Sequence, residues 1–379
     1  MGKRLSYMIV LIISTLMFTG CWDSTELNDR HVVLEMAFDK AESTNNDDTE
    51  DYYEITYTIP DIKKLSGEES LAEDVKTAVS SVTPTVLKSI DQTEAKLQDT
   101  LTFSHVKAIL FGEELLREPK LFENAINSLT RNIEFSRGTS ILAVQGKANK
   151  ITQGDNYQNP ILGLYIMKYF NNTDKGQGNV KHQSLGNLIR EVQDTGVTTM
   201  PIIANTEENE VKIGGAAVIK DYQLAGWLTE NEVIGMNLVN GDVNKMPVVV
   251  QYKGEYLTYT IDNKRVKIKF NNKNEFEATV HIVVRGNIIE GLSVMNNQIL
   301  NKQDINEIEK VLSNKLTNQI EAALEKERQM DADFLEIMLE LYRQNPKVWN
   351  QYNEQGLTLN DIKIDFEVET VIENTGIID

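Results

Sequence analysis

Histidine is the side chain whose charge changes near neutral pH, and it is also the commonest metal ligand, so the four histidines are where chemistry would first be sought. His31, His105, His182 and His281 lie far apart in the chain, and none stands in an H-E-x-x-H or comparable ligand spacing. A zinc site is not expected. His281 alternates outward from Val280 and Ile282, which gives it a solvated or edge-strand position, and His105 precedes an apolar strand, where a structural or interface role fits. Asp194-Thr195-Gly196 is the tripeptide with which aspartic proteases mount carboxylates that share a proton. Its lead-in, Arg190-Glu191-Val192-Gln193, is polar and helix-like, and no second copy exists, so the segment is expected to be a helix end passing into a linker. Gly176-Gln177-Gly178 lacks the third glycine and the leading strand of a dinucleotide fingerprint. The chain has no G-x-S-x-G elbow, no Walker lysine and no EF-hand glycine near Asp331-Ala332-Asp333. No enzyme activity, metal or bound cofactor is therefore expected.

The remaining reactive group is the only cysteine, Cys21. Lys3 and Arg4 supply a positive n-region, Leu5 to Phe18 an apolar core of signal-peptide length, and Thr19-Gly20 the small residues a signal peptidase admits. The run Leu16-Met17-Phe18-Thr19-Gly20-Cys21 resembles a bacterial lipobox, with Phe18 where leucine is commonest. That resemblance implies removal of residues 1–20 and attachment of a diacylglyceryl group and an N-acyl chain to Cys21, the single site residue expected. Two acyl chains anchor stably where one holds only marginally. The apolar stretch is short for a span, which needs about 20 residues.

Composition narrows the class of the body beyond the cysteine. A net charge of −19 opposes nucleic-acid binding, which depends on neutralising phosphates with Lys and Arg, and it also repels anionic head groups. Membrane attachment must come from the acyl chains and from protein partners. With no second cysteine there is no disulfide, and a hydrophobic content of 41% leaves stability to packed cores. A chain of 379 residues exceeds what one core usually serves, so two or three domains are expected.

Periodicity places the elements. Residues 22–29 read as a tether, and Glu42 to Asp51, without one apolar residue, as a loop between strands His31–Phe38 and Tyr53–Ile59, a hairpin with an acidic tip. Leu71 to Gln98 carries Val75, Val79, Val82, Val86 and Ile90 at helical spacing, kinked or split at Pro84. Val106–Gly112 and Thr139–Val144 have strand character, and Pro119–Asn132 places Leu121, Phe122, Ala125, Ile126 and Leu129 on one helical face. Asn171–Gly178 reads as a loop and Thr195–Pro201 as the exit from a first domain.

Beyond that point short strands are expected at Val211–Val218, Gln223–Leu228 and Val248–Tyr252, with a helix opened by Thr229 and Glu232. A meander comes next, with turns at Asp262-Asn263-Lys264, Asn271–Asn274 and Arg285-Gly286-Asn287. A long helix starts from Asp304 with Glu307 as its capping partner and carries a stripe from Ile305 to Leu324. A second stripe from Phe334 to Tyr342 precedes Pro346, and Ile362–Ile372 is a closing strand. The expected division is a signal peptide over 1–20, an N-terminal α/β domain over 21–197, a small middle domain over 198–264, and a C-terminal domain over 265–379 with an antiparallel sheet and a long helix.

An ordered set of segments then resembles the Ger(x)C lipoproteins, the C subunits of nutrient-germinant receptors in endospore-forming bacteria. The set begins Cys21-Trp22-Asp23 with Glu26-Leu27-Asn28, and continues with Phe103-Ser104-His105-Val106-Lys107, Phe111-Gly112-Glu113-Glu114 and Arg131-Asn132-Ile133-Glu134. It goes on through Gly214–Val218, Leu224–Thr229 and Val283–Glu290 to Asn345-Pro346-Lys347-Val348-Trp349, although a second tryptophan expected soon after is absent. The resemblance implies an α+β body of three domains, each a mainly antiparallel or mixed sheet with packed helices, tethered to the outer side of the spore inner membrane. It also implies membrane-embedded A and B subunits as partners and a role in triggering germination, with no catalytic residue to carry over. A solute-binding lipoprotein of an importer shares the anchor and the acidity, but it should show two similar α/β halves around a cleft. An extracytoplasmic hydrolase lacks a nucleophile motif.

Overall fold

The computed structural model describes residues 30–42, 52–61, 75–132, 134–154, 160–172, 178–206, 210–241, 243, 245–271, 277–291 and 300–375. The signal segment, Cys21, the tether, most of the acidic loop and most of the Asn171–Gly178 loop lie outside these residues. The architecture is α+β, organised around two large sheets.

A two-stranded ribbon stands apart from the first large sheet. β1 (Arg30–Val32) pairs in parallel with β5 (Thr100–Thr102) as a separate ribbon. β2 (Glu35–Lys40) and β3 (Tyr53–Pro60) form the expected antiparallel hairpin, and β4 (Lys76–Thr83) lies beyond it on the edge. β6 (Ala108–Gly112), β7 (Ser140–Val144) and β8 (Val197–Asn205) run parallel to β2, and β9 (Val211–Lys220) and β10 (Gln223–Leu228) close the other edge antiparallel. The order is β10-β9-β8-β7-β6-β2-β3-β4.

The helical reading of the valines before Pro84 is corrected here. Residues 76–83 are a strand, and only α1 (Val86–Glu94), capped by the Thr85 hydroxyl, is helical. Lys-Thr-Ala-Val-Ser-Ser-Val-Thr is rich in β-branched residues, and all eight pair with β3, so sheet pairing overrides a spacing that fits both periods.

One face of the sheet is covered by α2 (Glu113–Leu116), α3 (Pro119–Arg131) and α6 (Leu185–Thr195), the other by α4 (Asn149–Gln153) and α5 (Leu162–Asn171). Alternation along β2 divides the residues between them. Met36 and Phe38 enter the first core, where Phe111 lies 5.3 Å from Phe38 and 5.0 Å from Phe122 between ring centroids. Ala37, with Leu110 and Leu142, enters the second.

The second sheet has the order β11-β12-β13-β14, made of β11 (Met246–Tyr252), β12 (Glu255–Asn271), β13 (Glu277–Glu290) and β14 (Lys363–Asn374). β14 returns parallel to β13. The turn expected at Asp262-Asn263-Lys264 is instead a bulge inside β12, where the register to β13 shifts between Ile261 and Asn263. The apolar positions move from odd (Leu257, Tyr259, Ile261) to even (Val266, Ile268, Phe270) because one extra residue is inserted, and a bulge does this without a reversal. Likewise β13 runs straight through Arg285-Gly286-Asn287.

α8 (Lys302–Met330) lays Ile308, Leu312, Leu316, Ile320 and Ala323 on this sheet. It starts one turn earlier than the sequence suggests. Asn301 is the cap, its side chain accepting from the Gln303 and Asp304 N–H groups, and Asp304 answers as the third residue of the box. The second apolar stripe belongs to a separate helix, α9 (Ile337–Gln344), because Asp331 takes a left-handed conformation that ends α8. α10 (Pro346–Glu354) comes next, with Trp349 packed between Tyr342 and Tyr352.

α7 (Glu230–Val239) carries the capping box expected of Thr229 and Glu232. Replacing Thr229 with alanine removes the hydroxyl that accepts the Glu232 N–H and should cost about 1 kcal/mol, read as a lower urea midpoint with an unchanged slope.

The two halves meet at β9, whose alternate residues enter different cores: Ala217 and Ile219 join the N-terminal one, Ala216 and Val218 the C-terminal one. The boundary expected at 197/198 therefore falls in a strand that continues the first sheet, and the boundary at 264/265 falls inside β12.

Candidate functional site

The sequence-derived candidates are scattered by the fold. His31 lies 3.7 Å from Asp99, and His105 is exposed in the turn before β6. His182 Nε2 is 3.0 Å from Ser140 Oγ, with its ring 4.4 Å from that of Phe170, and burial lowers its pKa. His281 faces outward on β13, an internal strand, with Nδ1 2.7 Å from Glu367 Oε2. Among the described residues no group of three or more His, Cys, Asp or Glu side chains is arranged to hold a metal. Asp194 is exposed at the end of α6, where Gly196 is a left-handed cap, so the helix end is as expected, but it leads into strand β8 and not into a linker. Cys21 lies outside the described residues.

Four buried acids have raised pKa values, and the sequence assigns none of them a role. Glu35 and Asp39 project from β2 into the face covered by α4 and α5. Asp39 accepts the Ala148 N–H at 2.7 Å and the Asn149 N–H at 2.8 Å, tying the start of α4 to the strand, while burial pushes its pKa up to about 6. Glu35 accepts the Gly163 N–H in the first turn of α5, and burial raises it to about 7. In the C-terminal half, Asp333 accepts the Met338 and Leu339 N–H groups at 3.1 and 3.0 Å, and Glu327 accepts that of Leu335 at 2.9 Å. Burial, reinforced by the neighbouring Asp333, holds Glu327 protonated well above the ordinary carboxylic range. All four acids serve backbone N–H groups of segments later in the chain, which is a use in folding. The available signal was an acid inside an apolar strand, as in Val32-Val33-Leu34-Glu35-Met36-Ala37-Phe38.

Beside Asp39, at the ends of β2 and β7, lies a cleft of about 560 Å³. Its cations are paired: Lys40 Nζ is 2.6 Å from Glu118, and Lys147 Nζ is 2.6 Å from Glu42 and 3.5 Å from Glu54. This arrangement braces the sheet's rim.

The ordered sequence segments sit where the fold is pinned. Phe103 packs against Tyr57 and Phe135 in tilted pairs, with ring centroids 5.9 and 5.1 Å apart. Gly214–Val218 and Leu224–Thr229 form the β9–β10 hairpin that joins the two cores. Gly215 has φ +76°, and a Cβ there would lie 2.6 Å from the Leu228 carbonyl oxygen, so the hairpin requires glycine. Val283–Glu290 is the second half of β13.

Comparison with known proteins divides the chain near the start of β9. A family profile described as the spore germination protein N-terminal domain matches residues 23–205, and one described as spore germination B3/GerAC-like, C-terminal, matches residues 214–376. The chain belongs to the GerAC-like spore germination family. Spore germination protein B3 of Bacillus subtilis (strain 168) is 22% identical over 97% of this chain and 98% of its own length. Spore germination protein KC of the same organism is 21% identical over 100% and 97%, and spore germination protein A3 is 23% identical over 74% and 73%. The crystal structure of the GerBC protein superposes with a TM-score of 0.59 at 19% identity, covering 89% of this chain and 97% of that one, and so shares its fold. The GerAC-like profiles thus cover both sheets, and the family is one of germinant-receptor subunits.

Proposed function

We propose that this chain is a lipid-anchored, non-catalytic subunit of a spore nutrient-germinant receptor. In this reading acyl chains on Cys21 hold it at the outer side of the spore inner membrane, beside membrane-embedded A and B subunits, and the assembly triggers germination. The observation that carries the proposal is that the two family profiles, spanning 23–205 and 214–376, account for nearly the whole body. The anchor is supported by the lipobox-like run ending at Cys21. The pinned acids and paired cations suit a body whose task is to hold its shape beside partners.

An importer's solute-binding protein is less well supported. Its two similar α/β halves have no counterpart in an eight-stranded mixed sheet joined to a four-stranded one. The test is deletion of the gene, with germination then measured on single nutrients and on dipicolinate. Loss of one nutrient response with an intact dipicolinate response is expected, and normal germination on every nutrient would overturn the proposal.

A further inference from the structure

We infer that the outer edge of β14, over residues 364–368, is a strand-addition site for an extended segment of a protein partner that carries lysine or arginine. Among the described residues β14 is the last strand of its sheet, so one side of its backbone is unpaired by any described strand. The bonds from α8 identify which groups face that side. The Thr370 N–H donates to Ser313 Oγ at 3.1 Å, the Ile372 N–H to Glu309 Oε1 at 2.9 Å, and Arg328 Nη2 donates to the Ile362 carbonyl at 2.9 Å. Backbone groups of even-numbered residues thus point away from β13, and α8 caps both ends of the edge.

Between the caps, the edge-facing groups of Ile364, Phe366 and Val368 meet no partner from another described residue. Proteins normally blunt or cover such an edge. Here a groove of about 720 Å³ opens beside it, with Leu324, Ile364 and Phe366 supplying apolar surface and Glu321, Glu325 and Asp365 acidic groups. Its lining also holds Arg328, which donates to the Ile362 carbonyl, and Asp365 is paired with Lys363 at 2.8 Å, so the acids left to a partner are those of α8. Backbone pairing plus a pocket for alternate side chains is the geometry of β-augmentation.

Charge selects the occupant. Glu321 and Glu325 are exposed on α8 with no ion pair among the described residues, and β14 adds Glu369, with Glu367 beside its partner His281. A second copy adding its own β14 antiparallel would bring Asp365, Glu367 and Glu369 against the same acids, and like charges opposite one another destabilise a ladder. An extended basic segment meets both the open hydrogen bonds and the acidic rim. This surface is argued from the edge alone and stands or falls separately from the germination assay.

The test uses the full-length lipidated protein in detergent micelles and a short fluorescent peptide of alternating lysine and valine, read by anisotropy. Glu321→Lys with Glu325→Lys should weaken binding about tenfold, and Val368→Pro, which removes one edge N–H and leaves the β13 ladder intact, should do the same, its melting temperature being measured alongside because Val368 also packs against the C-terminal core. If the proline variant fails to fold, a peptide methylated on alternate amides replaces it and should not bind. Failure of the parent peptide to bind, or equal binding of the parent and methylated peptides, overturns the proposal.

Discussion

Replacing Cys21 with alanine is expected to abolish palmitate labelling, release the body from the membrane fraction under alkaline wash, and remove one nutrient response while germination on dipicolinate persists. Each buried acyl CH₂ contributes about 0.8 kcal/mol, so losing the acyl chains removes far more membrane affinity than any single side chain could restore. The polypeptide offers little in compensation. Its net charge of −19 is repelled by anionic lipid, and Leu5 to Phe18 is short for a stable span. Retention of the variant at the membrane with normal germination, or a wild-type protein that takes no palmitate, would remove Cys21 from the account. A variant released from the membrane that still germinates normally would separate anchoring from function and leave the receptor reading without its tether.

Legibility in the sequence depends on which interactions are local. The hairpin of β2 and β3, the strands β6 and β7 and the helix α3 are legible because each carries its own periodicity and is bounded by turn formers. The cap of α7 is legible because Thr229 and Glu232 are three residues apart and need nothing else. The sequence misleads where a partner strand decides the outcome. Residues 76–83 satisfy a helical spacing of valines, yet β3 pairs with all of them and makes a strand. The change of parity at Asp262 fits a turn as well as a bulge, and the two cannot be told apart until β13 is known to run alongside. The domain boundaries are the least legible, since β9 belongs to two cores and only the assembled sheet shows it. The same holds for the candidate site. Cys21 stands out in the sequence because a lipobox-like motif is a contiguous run, whereas Glu35, Asp39, Glu327 and Asp333 gain their altered acidity from burial that only the folded chain creates.

Glu35→Gln should stabilise the protein at alkaline pH and leave it unchanged near pH 4. Glu35 is fully buried, and the neighbouring Lys76, which lowers its pKa, only partly offsets the burial that raises it to about 7 from an ordinary 4.5. The native state therefore keeps a proton that the unfolded chain releases between these values. Stability from this group is complete below about pH 4.5 and is lost as pH rises towards 7, amounting to about 3 kcal/mol once both states are ionised. The protonated carboxyl accepts the Gly163 N–H and turns its other oxygen towards the cross-strand Thr58, whose hydroxyl is also buried without another partner. Glutamine reproduces that donor and acceptor pattern without a titratable proton. Urea midpoints of the wild type should fall between pH 5 and pH 8, and those of the variant should fall less, with Asp39 and the Glu327–Asp333 pair maintaining a residual decline of the same sign. Parallel curves for the two proteins would show that Glu35 is already ionised in the native state. The polar stripe on β2 would then be held by charge, with Lys76 neutralising it.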